Sequence, residues 1–244
     1  MSPFRKHSWL IAMLALLASP LSVRAQPPAH LPRYDLDIDI DVARHKVAVK
    51  ERVTWTNTSR TPVREIVFNA HSHYSVPDSE IGRLAKTVEI LRMSPKEALS
   101  FDGPALHMNG VRYRGMHKAD EQPSLSEVPP DDAVEFQFPT DSPTNLHVSL
   151  PTELKPGETV TLELDFHLNL PPRKGRWGQW EGITTLAQWL PVVAVHDDVK
   201  GWQPTPFIPW HQPYFNQAGH YTVKVRLSSD QKLAASSSVR READ

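Results

Sequence analysis

The chain has no cysteine and few glycines, ten among 244 residues, whereas proline occurs 23 times. Without cysteine, neither disulfides nor a thiol nucleophile are available, so noncovalent packing must stabilise the fold. The serine-hydrolase pattern G-x-S-x-G, the phosphate-binding P-loop, the dinucleotide glycine fingerprint and the zinc-binding pattern HExxH are all absent from the sequence. The abundant prolines predict many stiff loops between short elements.

Charge and hydropathy exclude further classes of protein. The formal net charge is −1 and no block of like charge stands out, so nucleic acid and anionic membranes are not expected partners. A basic patch at residues 5–7, an apolar run over 9–18 and small residues within 23–25 are typical of a secretory signal peptide cleaved after Ala25. A membrane anchor is the alternative, but the run is about half of the ~20 residues that span a bilayer. We therefore expect an exported protein, periplasmic or extracellular, with no stable membrane span after signal removal.

The clearest structural signal is residues 145–172, which predict two antiparallel strands joined by a turn. Apolar and polar residues alternate on both sides of the sequence Lys-Pro-Gly-Glu at 155–158. Proline presets φ for the first corner of a turn, and glycine accepts the positive φ of the second. Pro171 and Pro172 end the second strand because proline cannot donate to a ladder.

Weaker patterns predict the remaining elements. The phase of the second alternating segment slips at Glu51, which indicates a bulge. Asn109 and Gly110 predict the turn of a hairpin over 105–115, and residues 79–93 predict a short helix that leads into a strand at 88–91. The other predicted strands are at 34–41, 46–57, 65–74, 133–138, 220–227 and 233–239.

Because strands dominate and no strand–helix–strand rhythm appears, the sequence predicts an all-β fold. We expect an antiparallel β-sandwich with long loops rich in proline and aromatic residues, and one short helix. The predicted organisation is a signal peptide at 1–25, a mobile lead-in at 26–33 and one β-sandwich domain at 34–244.

Candidate metal and catalytic residues are sparse. His71 and His73 lie two apart on a predicted strand, so they share a face and could hold zinc if a third ligand arrives. The alternative is two polar residues on the solvent side of that strand. The adjacent carboxylates at 131–132 and 197–198 lie in predicted loops, whereas acid–base catalysis needs two carboxyls placed across a substrate. We therefore predict no catalytic residue in this chain.

Aromatic residues are concentrated late in the chain. Five of the seven tryptophans lie between residues 177 and 215. Exposed aromatic loops on a β-sandwich could stack on sugar rings or form a protein interface. Alternatively, they pack over the open end of the sandwich or against a neighbouring domain. The interface candidates are Trp177, Trp180, Trp202 and Trp210.

The order of several short patterns resembles the N-terminal β-domain of aminopeptidase N-type zinc metallopeptidases, the gluzincin family. The resemblance covers residues 34–238, and it is carried by order and spacing because each pattern alone is weak. The patterns are YDLDI at 34–38, VTWTN at 53–57, IVFN at 66–69, LKPGE at 154–158, WLP at 189–191, Asp197 with Asp198, Gly201 with Trp202, and GHYTV at 219–223.

The resemblance implies a saddle-shaped β-sandwich that packs on a catalytic domain holding the zinc ion and the HExxH helix. This chain has no HExxH, so we expect no cofactor of its own and no activity alone, with zinc and peptide substrate belonging to the catalytic domain. The resemblance also implies one loop in the substrate cleft, where a polar side chain holds the peptide's free amine. By position that side chain is Gln188, beside Trp189, although Gln188 could equally be an ordinary loop amide.

Two functions follow from these expectations. The first is a non-catalytic domain of a secreted metallo-aminopeptidase-like protein, packing on a catalytic domain and shaping its peptide cleft. The alternative is a free-standing exported β-sandwich that binds glycan or protein through its aromatic loops.

Overall fold

The computed structural model describes residues 28, 30–90, 92, 103–118, 132–208 and 215–240. Within these residues the chain is predominantly β-strand with one short α-helix, which confirms the predicted fold class. The predicted signal peptide lies outside the described residues, as do Trp210 and the end of the predicted helical segment after Arg92. In the part of the chain described, no helix is long and apolar enough to cross a membrane.

The elements follow one another as short strands with few helical turns. Two 3-10 turns, His71–His73 and Asp78–Glu80, precede helix α1 at Ile81–Ile90. The strands are β1 Arg33–Asp41, β2 Lys46–Thr56, β3 Val63–Asn69, β4 Leu106–Lys118, β5 Phe136–Gln137, β6 Asn145–Leu154, β7 Glu158–Asn169, β8 Trp177–Trp180, β9 Ile183–Leu186, β10 Val192–Val193, β11 Val195–Asp197, β12 Gly201–Gln203 and β13 His220–Arg226.

The strands form two main sheets and two small hairpins. The five-stranded sheet has the order β13-β1-β2-β7-β4, and the four-stranded sheet has the order β10-β3-β6-β5. Strands β8 and β9 form one hairpin and β11 and β12 the other. The pairs are antiparallel except β1 with β13, which run parallel over seven residue pairs.

The main core forms from the apolar inner faces of both sheets. The alternation in β2 and β7 places every second residue inward, as expected for strands with one covered face. Core side chains that are fully buried include Phe68, Leu106, Leu146, Leu162, Leu164, Phe166 and Leu168.

The hairpin predicted around residues 155–158 is wrong in its pairing, although both strands exist. Strand β6 pairs with β3 and β5, whereas β7 pairs with β2 and β4, so the turn carries the chain from one sheet to the other. Gly157 has φ 79° and its N–H donates to the carbonyl of Asn57 at 2.8 Å. The same turn residues serve a hairpin and a crossover, so only the partner strands decide between them.

The predicted hairpin at 105–115 is also wrong. Residues 106–118 form the single strand β4, and the register against β7 shifts between Met108 and Gly110 and again near Gly115. Asn109 lies at the first shift, where its amide donates to Asp165 at 2.6 Å. Gly110 therefore belongs to a bulge within one strand and does not reverse the chain.

Three further predictions need correction. Strand β2 has no bulge at Glu51, because the alternation and both registers run through it without a shift. Helix α1 extends to Ile90 and so includes residues 88–90 of the segment predicted as a strand, with Val88 buried on its inner side. Residues 233–239 form no strand.

Candidate functional site

The inner face of strand β13 is open over much of its length, although β13 lies at the edge of a sheet whose other strands are covered. It pairs with β1 so that Tyr221 lies beside Tyr34 and Val223 beside Leu36, with both pairs on the same face. Tyr34 and Leu36 are 2% and 4% exposed, whereas Tyr221 and Val223 are 44% and 50% exposed. Val225, further along the same face, is partly buried against the core, so the core continues along β13 into a surface that is open at Tyr221 and Val223.

The start of β13 is held firmly against β1. The rings of Tyr34 and Tyr221 stack at 4.6 Å with 9° between their planes. A Cβ at Gly219 would lie 2.7 Å from Cε2 of Tyr34, so the close approach of the two strands requires glycine there. Burial raises the pKa of both phenols, that of Tyr221 to about 12. The open face is therefore a fixed surface with neutral hydroxyls.

The opposite face of β13 is polar and joined to β1 by charge. Arg226 Nη2 lies 2.7 Å from a carboxylate oxygen of Asp37, and its Nε lies 3.5 Å from Asp39. These contacts raise the pKa of Arg226, the bond to Asp37 most of all. One face of the strand is thus solvated while the other is an exposed extension of the core.

Glu51 lies under this edge of the sheet, facing the core from β2. It is fully buried between Leu36 and Leu164, and neither carboxylate oxygen has a hydrogen-bond partner among the described residues. Desolvation raises the pKa of Glu51 well above its ordinary value. Burial therefore favours the protonated form of this carboxyl.

Gln188 and Trp189, the predicted cleft residues, are adjacent but face opposite ways. Trp189 is buried against Phe166, and its carbonyl accepts a 2.6 Å hydrogen bond from Ser72 Oγ. Gln188 is exposed at φ 52°, and its Oε1 accepts a 2.9 Å hydrogen bond from Arg176. The buried Trp189 thus fixes the point at which Gln188 projects outward.

The tryptophans of the predicted aromatic interface lie in different surroundings. Trp177 is buried, with its ring 5.3 Å from that of Phe207. Trp180 and Ile183 are exposed beside the two-residue turn of the β8–β9 hairpin. Trp202 is half-buried on the β11–β12 hairpin. Of the three interface candidates that the structure describes, Trp180 and Trp202 therefore lie on two different hairpins, and Trp177 exposes little surface.

His71 and His73 do not share a strand face, because β3 ends at Asn69 and the two histidines form a 3-10 turn. His71 Nε2 lies 2.9 Å from the carbonyl of Thr205, and His73 Nδ1 lies 2.6 Å from that of Pro143. Burial is the largest cause that lowers the pKa of both rings. Among the residues described, no group of three His, Cys, Asp or Glu side chains could hold a metal ion.

Sequence reasoning missed the buried carboxyl and the open strand face. Glu51 was visible as a charged residue at an apolar position of β2, which is the pattern that suggested a bulge. The open face was visible as the alternation of Tyr221, Val223 and Val225, but that alternation is the same for covered and uncovered strands.

Comparison with known proteins gives matches only among solved structures. No protein-family model matches this chain, and no curated protein matches it. The M1 zinc metallopeptidase from Deinococcus radiodurans is similar at 16% identity and a TM-score of 0.37, covering 66% of this chain and 28% of that chain.

Two further structures belong to the same class. A mutant of the Deinococcus radiodurans enzyme bound to a Tyr-Ser-Ala substrate has 16% identity and a TM-score of 0.36, covering 71% of this chain and 28% of that chain. A two-domain M1 zinc metallopeptidase mutant bound to L-arginine has 15% identity and a TM-score of 0.39, covering 80% of this chain and 32% of that chain. This chain spans about a third of the length of these proteins, and their class is the one that its sequence resembles.

Proposed function

We propose that this chain is the non-catalytic β-domain of an exported zinc metallo-aminopeptidase-like protein, packing on a catalytic domain and forming one wall of its peptide cleft. The observation that carries the proposal is the open inner face of β13, where Tyr221 and Val223 are about half exposed beside buried partners on β1. Exposed apolar surface that continues from a core is typical of an interface with another domain.

The division of chemistry supports the same assignment. Peptide hydrolysis by a zinc-bound water needs three protein ligands and a general base. The sequence has no HExxH, so the proposed catalytic partner supplies the metal, its ligands and the base. The β-domain supplies a rigid wall, and its contribution to the reaction is to position the peptide.

Gln188 is the proposed contact from this wall to the peptide. Its amide is exposed, and the backbone next to it is anchored by the buried ring of Trp189. The Oε1 of Gln188 already accepts a hydrogen bond from Arg176, and the second lone pair of this oxygen can accept one from the free amine of a peptide. Export is proposed from the signal-peptide pattern in residues 1–25.

The first test reads the gene downstream of codon 244. We expect a frame encoding HExxH, in phase or one frameshift away. That segment would then be expressed as a separate chain, and its affinity for this chain measured with and without the double substitution Tyr221→Ser and Val223→Ser. Loss of both apolar contacts should weaken association by about tenfold or more.

The control is Val199→Ser, because Val199 is equally apolar and more exposed but lies on the β11–β12 turn. We expect this change to alter the affinity by less than about twofold. An unrelated gene after a clean stop, or an affinity that the β13 substitutions leave unchanged, would remove the proposal.

A further inference from the structure

We propose that this chain has a binding groove for a neutral carbohydrate where strands β3 and β6 separate. The groove lies against the β11–β12 hairpin, and none of the described residues that line it belongs to β13. Its side chains include Arg64 and Glu65 of β3, Ser149 of β6, and His196 and Trp202 of the hairpin. The site is independent of the proposed docking role.

The groove lies where the hydrogen-bond ladder between β3 and β6 is interrupted beside Pro151. Val63 pairs with Leu154 and Glu65 pairs with Ser149, so one step of two residues on β3 faces a step of five on β6. Pro151 lies within that longer step and has no N–H to donate to the ladder. The ladder between the two strands is therefore interrupted at this point, beside a shallow, open groove of about 450 Å³.

Trp202 forms an aromatic wall that is supported from behind. Its ring lies 5.2 Å from that of buried Trp55, and the ring of His196 meets it edge-on at 4.7 Å. A side chain held in this way loses little conformational freedom when a ligand packs on it. The electron-rich face of an indole attracts the polarised C–H groups on the apolar side of a sugar ring.

The hairpin that carries this wall is itself fixed. Asp197 Oδ1 accepts hydrogen bonds from the N–H groups of Val199 at 2.8 Å and Lys200 at 2.6 Å. Asp198 Oδ1 accepts one from the N–H of Arg60 at 2.6 Å, which joins the hairpin to the loop before β3. The adjacent aspartates thus position the groove wall, and the site is formed before a ligand arrives.

The polar groups of the groove favour a neutral ligand. Glu65 Oε2 lies 3.0 Å from His147 Nδ1, and Arg64 Nη2 lies 2.9 Å from Glu153. The Arg64 side chain is largely exposed and that of Glu65 about half exposed, and Ser149 adds a hydroxyl at the groove edge. Because Arg64 and Glu65 each already have a polar partner, an ionic ligand would compete with those contacts, whereas hydroxyl groups can share these donors and acceptors.

The test uses the purified chain and a panel of neutral oligosaccharides built from glucose, xylose and N-acetylglucosamine, with binding followed by saturation-transfer NMR and titration. We expect at least one to bind with a Kd of about 1 mM or tighter. Trp202→Ala should weaken that binding by about tenfold, and Trp180→Ala, the matched exposed tryptophan on the other hairpin, by less than about twofold.

Because Trp202 also contacts the core, a second variant separates binding from folding. Ser149→Phe fills the groove from an exposed strand position, and we expect it to abolish binding without lowering the melting temperature. The proposal is overturned if no neutral oligosaccharide binds, if binding survives Ser149→Phe, or if a peptide or an anionic polysaccharide binds there instead. None of these outcomes depends on a catalytic domain, so they are distinct from failure of the docking proposal.

Discussion

Strands β1 and β13 are neighbours in one sheet, run parallel and alternate in the same phase. Their inward tyrosines stack on each other, yet one is 2% exposed and the other 44%. The second layer reaches Tyr34, whose hydroxyl accepts a 3.1 Å hydrogen bond from the N–H of Val193, whereas Tyr221 and Val223 of β13 stay about half exposed. Alternation therefore decides which face of a strand is apolar, whereas a second layer decides whether that face is buried.

The largest expected difference between the two strands is in the cost of truncating an apolar side chain. Leu36→Ala should lower the free energy of unfolding by about 2–5 kcal/mol because it leaves a cavity in the core. Val223→Ala should lower it by less than about 1 kcal/mol because half of that side chain is already in water. Chemical denaturation of the isolated chain measures both. Equal losses would mean that β13 is covered in solution.

The carboxyl beneath this edge gives the next largest effect. Glu51→Leu should raise the free energy of unfolding at neutral pH by about 1–3 kcal/mol, because it replaces an unpartnered buried polar group with an apolar one of similar size. Glu51→Gln is the control, since its amide stays polar and unpartnered and should bring much less stabilisation. Thermal unfolding at pH 7 measures both. A destabilised leucine variant would contradict the description of Glu51 as a buried polar group without a hydrogen-bond partner.

The pH dependence of stability tests the same residue. The folded state raises the pKa of Glu51, so it holds a proton that the unfolded chain releases. Stability from this residue is therefore greatest below its unfolded-state pKa and is lost as pH rises from there through the folded-state pKa. The decline should disappear in Glu51→Leu, and an unchanged profile would indicate that other groups cause it.

The smallest expected effect concerns the two hydroxyls. Tyr34→Phe leaves the N–H of Val193 without its partner and should cost about 1–2 kcal/mol. Tyr221→Phe removes a hydroxyl from a half-exposed ring and should change stability by less than about 0.5 kcal/mol. Paired melting curves distinguish the two, and similar costs would mean that the Tyr221 hydroxyl is also engaged in a structural bond.

Much of the fold could be predicted because the strands of the main sheets alternate clearly. The all-β class and the positions of β1, β2, β7 and β13 follow from that period of two. The pairing of β6 with β3 did not follow, because turn residues limit the local geometry without naming a partner strand. The same limit explains why Asn109 and Gly110 suggested a hairpin inside what is one bulged strand.

The candidate site was less predictable. The sequence drew attention to Trp202. The groove beside it also depends on Pro151, about fifty positions earlier in the chain, where the ladder between β3 and β6 of the four-stranded sheet is interrupted. His71 and His73 suggested a metal pair only while they were placed on a strand, and the turn after Asn69 separates their faces. Contacts between distant segments decided both cases.

By itself, the sequence determined the strand-rich class, the apolar faces, the lack of cysteine chemistry and the missing HExxH pattern, because each is a property of residue type and local spacing. Only the tertiary structure decided that Glu51 is a buried carboxyl, that β13 presents an open apolar face at Tyr221 and Val223, and that a groove opens beside Trp202. The physical reason is that burial and exposure depend on which segments pack together, and these segments lie far apart along the chain.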